Sequence, residues 1–264
     1  MVAPQAVLFD ISGTLLCGAE PIPGAPAAVH ALKQGKAVRY FTNNPGLTPH
    51  QAIERLAAAG FPVSAGDVVS AAAETAACVA EQFVGKRVLI LGGDGLRRVF
   101  EAHPLEVVDD LPADVVVVGG AGRVDSARLT LACRAVWAGA ALIATGLDRR
   151  VPGAAGELFP GTGAIIRAIE WATHVQADVR GKPSQWAAQA ALRLLGTSGP
   201  ASVVVGDSAD EDVALGKQMG ARTVLVLTGV TTERDLARLP EVNRPDAVFP
   251  SVGQLLVDWL AAQT

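Results

Sequence analysis

The sequence of 264 residues predicts an α/β protein built on a mostly parallel sheet. Short Val/Ile/Leu-rich runs bounded by turn residues recur along the chain, a pattern typical of strands that are buried on both faces. An Ala-rich segment with helical spacing follows most of these runs, as in successive βαβ units. Half of the residues are hydrophobic, which is enough to bury a sizeable core.

Seven apolar runs are predicted strands: Ala6–Phe9, Val38–Phe41, Val88–Leu91, Val115–Val118, Ala141–Ala144, Ser202–Val205 and Thr223–Leu227. Six segments with helical spacing are predicted helices: Pro26–Lys33, Gln51–Ala59, Glu74–Phe83, Arg128–Trp137, Gly163–Ala172 and Gln185–Leu195. Ligands of open α/β sheets bind outside the carboxyl ends of the strands. The residues that directly follow the predicted strands are therefore the first candidates for a functional site.

The composition excludes several classes of protein. A net charge of −4 lacks the basic surplus of a general nucleic-acid or anionic-membrane binder. Three cysteines far apart, with no CxxC, give neither a disulfide framework nor a zinc cluster. No apolar run approaches the ~20 residues of a membrane span, and no basic-then-apolar leader precedes the first strand. We therefore expect a cytoplasmic protein without nucleic-acid or membrane partners.

The aromatic and imidazole side chains are predicted to be packing residues rather than ligands. The tryptophans lie among apolar, helix-like neighbours, and aromatic residues in such settings usually belong to the core. The same interpretation is given to the four histidines. The predicted packing residues among the tryptophans are Trp137, Trp171, Trp186 and Trp259.

The first predicted strand ends at a carboxylate. Asp10 follows Val7-Leu8-Phe9, and the small-residue turn Ile11-Ser12-Gly13-Thr14 comes next. A carboxylate at that point would project from the sheet edge, beside turn N–H groups that suit an anion, and could attack phosphorus. The alternative is an Asp that caps a turn.

The second strand end carries neutral hydrogen-bonding groups. Thr42, Asn43 and Asn44 follow Val38–Phe41 and would suit phosphate oxygens. An ordinary Asn-Pro-Gly turn at residues 44–46 is the alternative, and it explains Asn44 better than it explains Thr42 and Asn43.

The third strand end concentrates negative charge. Asp207, Asp210, Glu211 and Asp212 follow Val203-Val204-Val205, and oxygen-rich sites of this kind bind Mg²⁺. The acidic first turn of a helix would explain Asp210 and Glu211 equally well, but it leaves Asp207 unexplained. Lys182 precedes a proline, so it is predicted to lie in a loop, where its charge could neutralise both a carboxylate and a phosphate.

In this order, the four segments Asp10–Thr14, Thr42, Lys182 and Gly206–Asp212 resemble the signature of the haloacid dehalogenase-like phosphohydrolase superfamily. Further segments resemble its p-nitrophenyl phosphatase-like branch: Pro23–Ala25, Thr42–Asn44, Ile143–Thr145, Pro160–Gly163 and Gly181–Pro183. The resemblance implies a doubly wound, Rossmann-like core domain at residues 1–83 and 180–264. It also implies an inserted α/β cap domain at residues 84–179.

The resemblance implies a Mg²⁺-dependent hydrolase of small phosphorylated molecules, as a monomer or homodimer. Asp10 would form an aspartyl-phosphate, with Lys182 beside it. The implied metal ligands are Asp10, the backbone carbonyl of Ser12, and Asp207, with Asp212 orienting the metal shell. The implied substrate-binding residues are Gly13, Thr42, Asn43, Asn44 and Asp148.

Ser12 departs from the family pattern, which has a second Asp there. That Asp is the family's general acid and base, and such help is typically worth 10²–10⁴-fold. Asp-x-Ser-Gly resembles the phospholysine phosphohistidine inorganic pyrophosphate phosphatases. We therefore expect a preference for good leaving groups, as in pyrophosphate, phosphoramidates and acyl or aryl phosphates. The alternative is a catalytically impaired relative that binds a phosphorylated ligand.

The cap also departs from the pattern. The family's Gly-Leu-Asp-Arg reads Gly119-Gly120-Ala121-Gly122 here, so the substrate-facing loop has lost side chains. Asp148 remains as a substrate contact or, alternatively, as a helix or turn cap. A dinucleotide-binding fingerprint fails because its third glycine position is Asp125.

Overall fold

The computed structural model describes residues 3–120, 124–152 and 157–262. The strands in these ranges are β1 (Ala6–Asp10), β2 (Leu16–Cys17), β3 (Glu20–Pro21), β4 (Ala37–Thr42), β5 (Val68–Ser70), β6 (Arg87–Gly92), β7 (Glu106–Val108), β8 (Val115–Gly119), β9 (Ala141–Ala144), β10 (Arg150–Pro152), β11 (Leu158–Pro160), β12 (Asp178–Val179), β13 (Ser202–Gly206), β14 (Arg222–Val226) and β15 (Ala247–Phe249). The α-helices are α1 (Ala25–Lys33), α2 (Pro49–Ala58), α3 (Ala71–Gln82), α4 (Asp94–Glu101), α5 (Ser126–Trp137), α6 (Thr162–Thr173), α7 (Gln185–Leu195), α8 (Ala214–Met219), α9 (Glu233–Leu236) and α10 (Gln254–Ala261).

The first sheet contains six parallel strands in the order β15-β14-β13-β1-β4-β5. The central strands β1 and β13 are buried along their whole length, as their continuous apolar runs predict. Phe9 lies opposite both Val205 and Tyr40, so β1, β13 and β4 end at the same edge. The residues that follow these three strands therefore meet at one place.

The second sheet contains five parallel strands in the order β12-β9-β8-β6-β7 and is inserted between β5 and β13. The predicted fold class, two mostly parallel α/β units, is confirmed. Helix α3 contributes Ala72, Ala76 and Val79 to a hydrophobic cluster with β6 and β8. The domain limits remain a prediction, and this packing favours a first boundary near Ala71 rather than at residue 83.

Two short antiparallel hairpins supplement the sheets. The pair β2–β3 follows β1, and the pair β10–β11 lies between β9 and α6. In the second hairpin Val151 pairs with Phe159, and Pro152 pairs with Leu158. This hairpin was not predicted, because its few apolar residues are surrounded by Gly and Pro.

Each predicted strand and helix coincides with an observed element, with ends that differ by a few residues. The packing prediction is wrong for Trp137, Trp171 and Trp186, which are exposed. Trp186 instead stacks under the guanidinium of Arg180, 4.0 Å from the ring centre. Trp259 packs edge-on against Phe249. Each exposed tryptophan lies three or four residues from an exposed polar side chain of the same helix (Arg134, Arg167 or Gln189), and therefore on its solvent-facing side.

The histidine prediction is also wrong for three of the four residues, since His30, His50 and His174 are exposed. In the described part of the chain, none of the helices has both the length and the apolar character needed to cross a bilayer. The cytoplasmic location remains a prediction.

Candidate active site

A cleft of about 710 Å³ lies at the carboxyl edge of the first sheet, facing the second. Asp10 is the last residue of β1, Thr42 is the last residue of β4, and Asp207 directly follows β13. All three line the cleft. The site therefore lies where parallel α/β sheets generally bind ligands.

Three buried carboxylates converge on the floor of the cleft. Asp10, Asp207 and Asp212 each offer an oxygen atom within 4.8 Å of the other two. Burial raises the pKa of Asp10 to about 6, against the opposing charge of Lys182. Burial, reinforced by Asp10, raises the pKa of Asp207 to about 8. Such an all-oxygen donor set fits Mg²⁺, whose charge would relieve the repulsion within it.

Asp207 is held in place by its surroundings. Thr14 Oγ1 donates a hydrogen bond to its Oδ1 at 3.1 Å, and the Val230 N–H donates to its Oδ2 at 2.7 Å. Gly13 has a φ of 86° and approaches so closely that a Cβ there would lie 2.6 Å from Asp207 Oδ2. A Cβ at Gly229 would overlap the same carboxylate. The two glycines thus allow both turns to close on Asp207.

Lys182 lies under the carboxylates with a side chain that is 2% exposed. Its Nζ donates hydrogen bonds to Asp10 Oδ1 at 2.5 Å and to Asp212 Oδ1 at 2.7 Å. Burial opposes the charge on Lys182, but Asp10 and Asp212 more than offset it and raise its pKa above the usual range. Lys182 is therefore a permanent cation beside Asp10.

Asn43 clamps the Lys182 segment to the first sheet. Its Oδ1 accepts the Lys182 N–H at 3.0 Å, and its Nδ2 donates to the Lys182 carbonyl at 3.1 Å. The Nδ2 also donates to Glu211 Oε2 at 2.8 Å. Both Nδ2 hydrogens are thus engaged within the protein. The backbone of Asn43 is what remains for the substrate contact predicted from the sequence.

Glu211 also lines the cleft, although it was not among the predicted site residues. Burial and the nearby Asp148 raise its pKa well above the usual range. The chain forms one π-helical turn over Ala209–Val213, which directs both Glu211 and Asp212 inward. Such turns are rare in proteins overall, and many of those that occur lie at functional sites. The sequence left Glu211 open between an acidic site and an ordinary first helical turn, and the spacing of an ordinary helix does not predict its inward direction.

The other predicted site residues on the first sheet also form hydrogen bonds within their own turns. Thr42 Oγ1 accepts the Asn44 N–H at 3.0 Å, and Asn44 Oδ1 accepts the Gly46 N–H at 2.8 Å. The turn role that the sequence left open for Asn44 is therefore present. Ser12 lines the cleft close to Asp10 in sequence. Thr228 Oγ1 donates to the Gly13 carbonyl at 2.6 Å, which further fixes the turn after β1.

Asp148 performs the capping role that the sequence left open. Its Oδ2 accepts the Thr162 N–H at 2.7 Å, at the start of α6. Asp148 is buried and also lines the cleft, so its second role as a substrate contact stays a prediction.

The second sheet faces the cleft mainly with glycines and apolar side chains. Gly119 and Gly120 line the cleft, whereas Ala121 and Gly122 lie outside the described residues. Val151 and Phe159 of the β10–β11 hairpin line it as well. Arg150 Nη2 anchors this hairpin, donating to the Val230 carbonyl and to Asp235 Oδ2, each at 2.7 Å.

Comparisons with known proteins agree with this arrangement. Residues 7–106 match the family model described as haloacid dehalogenase-like hydrolase, and residues 179–255 match a second model of that type. The acid sugar phosphatase of Staphylococcus epidermidis is 34% identical over 233 residues, which are 88% of this chain and 90% of that protein.

Two solved structures are similar over most of the chain. The p-nitrophenyl phosphatase from Archaeoglobus fulgidus has a TM-score of 0.86 and 36% identity, covering 98% of this chain and 99% of that one. A magnesium complex of glycerol phosphate phosphatase from Mycobacterium tuberculosis has a TM-score of 0.80 and 30% identity, covering 94% and 75%. The chain belongs to the haloacid dehalogenase-like hydrolase family, in the branch that contains the p-nitrophenyl phosphatases.

Proposed function

We propose that the protein is a Mg²⁺-dependent phosphatase that hydrolyses small phosphorylated molecules through an aspartyl-phosphate at Asp10. The observation that carries this proposal is the convergence of Asp10, Asp207 and Asp212 beside the Lys182 ammonium. The relatives named acid sugar phosphatase and glycerol phosphate phosphatase support a small phosphorylated substrate.

The residues present fit a metal ion. Asp10, Asp207 and the backbone carbonyl of Ser12 would hold Mg²⁺, with Asp212 orienting its shell, and the ion supplies positive charge against the phosphoryl oxygens. Thr42 and the backbone of Asn43 would hold the same oxygens. The N–H groups of Gly13 and Asn44 already donate to the Leu16 carbonyl and to Thr42 Oγ1, so the substrate contacts predicted for these two residues would need other atoms. Phosphoryl transfer depends mainly on such positioning and charge neutralisation.

Two displacements at phosphorus complete the reaction. A carboxylate oxygen of Asp10 attacks phosphorus, and the bond to the leaving group breaks, so that the leaving group takes the electron pair. Water then attacks the aspartyl-phosphate, and the P–O bond to Asp10 breaks. This releases inorganic phosphate and a proton and restores the carboxylate, which Lys182 holds in place.

Ser12 sets the expected preference among leaving groups. Without a carboxyl group at position 12, a leaving group that needs a proton loses help typically worth 10²–10⁴-fold. Pyrophosphate, phosphoramidates and acyl or aryl phosphates release groups that are stable without this help. We expect them to be hydrolysed faster than alkyl esters.

The test is Mg²⁺-dependent phosphate release from p-nitrophenyl phosphate, phosphoramidate and pyrophosphate. We expect EDTA to abolish release and Asp10→Asn to lower it by about 10³-fold or more, as for other nucleophiles. The matched control is Asp210→Asn, which alters an exposed acid that pairs with Arg149. Equal rates for the wild type and Asp10→Asn would defeat the proposal.

The serine at position 12 also favours a second candidate, a relative that binds a phosphorylated ligand without turning it over. In that case phosphate release would be absent from wild type, and the same ligands would bind wild type and Asp10→Asn alike. Calorimetry on both proteins separates the two functions. The intact set of Asp10, Lys182, Asp207 and Asp212 favours the enzyme.

A further inference from the structure

The β10–β11 hairpin carries an arginine whose side chain ends on the other side of the cleft. Arg150 is the first residue of β10, and its Nη2 donates to the Val230 carbonyl and to Asp235 Oδ2, each at 2.7 Å. The backbone of Arg150 thus belongs to the cap hairpin, whereas its guanidinium belongs to the core wall. A partly exposed ion pair such as Arg150–Asp235 contributes little to stability by itself. The contact with the backbone carbonyl is therefore the informative one.

The backbone of Val230 connects Arg150 with Asp207. The Val230 N–H donates to Asp207 Oδ2 at 2.7 Å, and its carbonyl accepts from Arg150. The peptide group that carries this carbonyl also carries the Thr231 N–H, which donates to the Asp207 backbone carbonyl at 3.1 Å. Hydrogen bonds in such a chain polarise and strengthen one another. The bond from Arg150 therefore supports both contacts that this segment makes with Asp207.

The segment around Val230 is irregular and depends on contacts with other elements for its shape. It connects β14 with α9, a helix of four residues of which none is buried. Thr228 holds the start of the segment by donating to the turn after β1, and Thr231 holds its end by accepting the Ala209 N–H at 3.0 Å. Arg150 supplies the contact between these two points, at the residue that donates to the Asp207 carboxylate.

We propose that Arg150 is a positioning residue for metal binding, because it fixes the backbone of Val230 and so orients the Asp207 carboxylate toward Mg²⁺. This inference rests on the proposed function, in which Asp207 is a metal ligand. Partners that hydrogen bond to a metal ligand orient it, and their mutation typically weakens metal affinity 10–100-fold. Arg150 acts one contact further away, so we expect an effect of about tenfold. Charge alone predicts the opposite sign, because removing a nearby cation favours the binding of another.

The test compares Arg150→Met with Arg149→Met. Arg149 is the preceding residue, is 83% exposed, and pairs with Asp210 of the core at 3.2 Å. Each variant removes one positive charge and one ion pair between the hairpin and the core. Arg150→Met also removes the donor to the Val230 carbonyl. The measurement is the rise of Tm with Mg²⁺ concentration in the metal-free full chain, which gives the Kd for Mg²⁺ without any turnover.

We expect Arg150→Met to raise the Kd for Mg²⁺ about tenfold and Arg149→Met to change it by less than about twofold. Arg150→Lys keeps a donor for the Val230 carbonyl and should stay within about threefold of the wild type. This variant also carries the test if Arg150→Met does not fold. At saturating Mg²⁺, the KM of Arg150→Met for p-nitrophenyl phosphate should be unchanged, because no substrate contact is removed.

Three results would overturn the inference: an unchanged Kd in Arg150→Met, equal weakening in the two Met variants, or Arg150→Lys as weak as Arg150→Met. A raised KM with an unchanged Kd would also overturn it, since Arg150 would then act on the substrate. Failure of the proposed function would appear differently. In that case Mg²⁺ would not raise the Tm of the wild type, or phosphate release would not depend on Asp10.

Discussion

The two walls of the cleft are built in opposite ways. On the core wall, Asp10, Asp207 and Lys182 are buried, and each is fixed by hydrogen bonds to neighbouring groups. On the cap wall, Gly119 and Gly120 offer no side chain, and the hairpin presents apolar surface. The difference indicates that changes on the core wall affect whether phosphorus reacts, whereas changes on the cap wall affect which molecule is accepted.

The largest effect is expected for Lys182→Met. This change removes the cation that contacts Asp10 and Asp212, and the loss of one preorganised electrostatic partner typically costs 10²–10³-fold. We expect kcat/KM for p-nitrophenyl phosphate to fall by about this factor. Thermal unfolding should also shift downward, because two buried carboxylates lose their partner.

Lys217→Met is the matched control for this prediction, since Lys217 forms a surface ion pair with Asp246 at 3.1 Å. Exposed pairs of this kind contribute about 0–1 kcal/mol. A Lys182→Met protein that keeps more than about a tenth of wild-type activity would show that the core wall is not as sensitive as its contacts suggest.

The next largest expected effect is a gain in turnover. Ser12→Asp restores a carboxyl group beside Asp10 and should raise turnover of glycerol phosphate by about 10- to 100-fold, within the range of general acid catalysis. Turnover of p-nitrophenyl phosphate should rise much less, because its leaving group needs no proton. Ser12→Asn is the control of similar shape. If both variants behave alike, leaving-group protonation does not limit the enzyme.

A smaller loss of kcat is expected when Glu211 is changed, because Glu211 acts through Asn43. Glu211→Ala removes an acceptor from Asn43 Nδ2 and loosens the clamp on Lys182. The raised pKa of Glu211 favours its neutral form, and a hydrogen bond between neutral groups is worth about 0.5–1.5 kcal/mol, so we expect kcat to fall by about two- to tenfold. Glu211→Gln keeps an acceptor and should recover most of kcat. Equal losses in the two variants would exclude this positioning role.

The smallest effect concerns stability without metal. The pKa values of Asp10 and Asp207 are raised on folding, from 3.8 to about 6 and about 8. At pH values between the unfolded-state pKa of 3.8 and these raised folded-state values, the folded state binds more protons than the unfolded state. The free energy of unfolding therefore falls as pH rises through this range. In EDTA we expect Tm to be several degrees lower at about pH 8 than at about pH 5.5.

Mg²⁺ should reverse this trend, raising Tm more at the higher pH, where both carboxylates must otherwise ionise side by side. Asp207→Asn should flatten the pH dependence in EDTA and weaken the response to Mg²⁺. The trend is measured by differential scanning fluorimetry. An equal Mg²⁺ response at both pH values would argue against metal binding by these carboxylates.

The core wall could be predicted from the sequence, and the physical reason is simple. Asp10 and Asp207 follow apolar runs, and Thr42 follows a run that only Arg39 interrupts. Parallel strands that pair side by side must end at one edge. Lys182 was placed by its resemblance to a family motif rather than by its local sequence. Its contacts with Asp10 and Asp212 depend on a segment 172 residues away in the chain from Asp10.

The cap wall and Glu211 escaped prediction for different reasons. Phe159 and Val151 face a cleft rather than a core, so they follow no hydrophobic period that a sequence window could detect. Glu211 turns inward because of a π-helical turn, whereas sequence patterns assume 3.6 residues per turn. Helix α3 has an apolar side bounded by Glu74, Glu81 and Gln82, but its sequence does not show which of the two sheets that side packs against.

A short connection joins β12 of the second sheet to Lys182. Only Arg180 and Gly181 separate the last cap strand from the ammonium group beside the nucleophile. Gly181 is wedged between the Thr145 carbonyl of the cap and the Asn43 side chain of the core, with no space for a Cβ. A Cβ at position 181 would therefore displace the backbone next to the residue that neutralises Asp10, so Gly181 ties the position of the ammonium group to the packing between the two sheets.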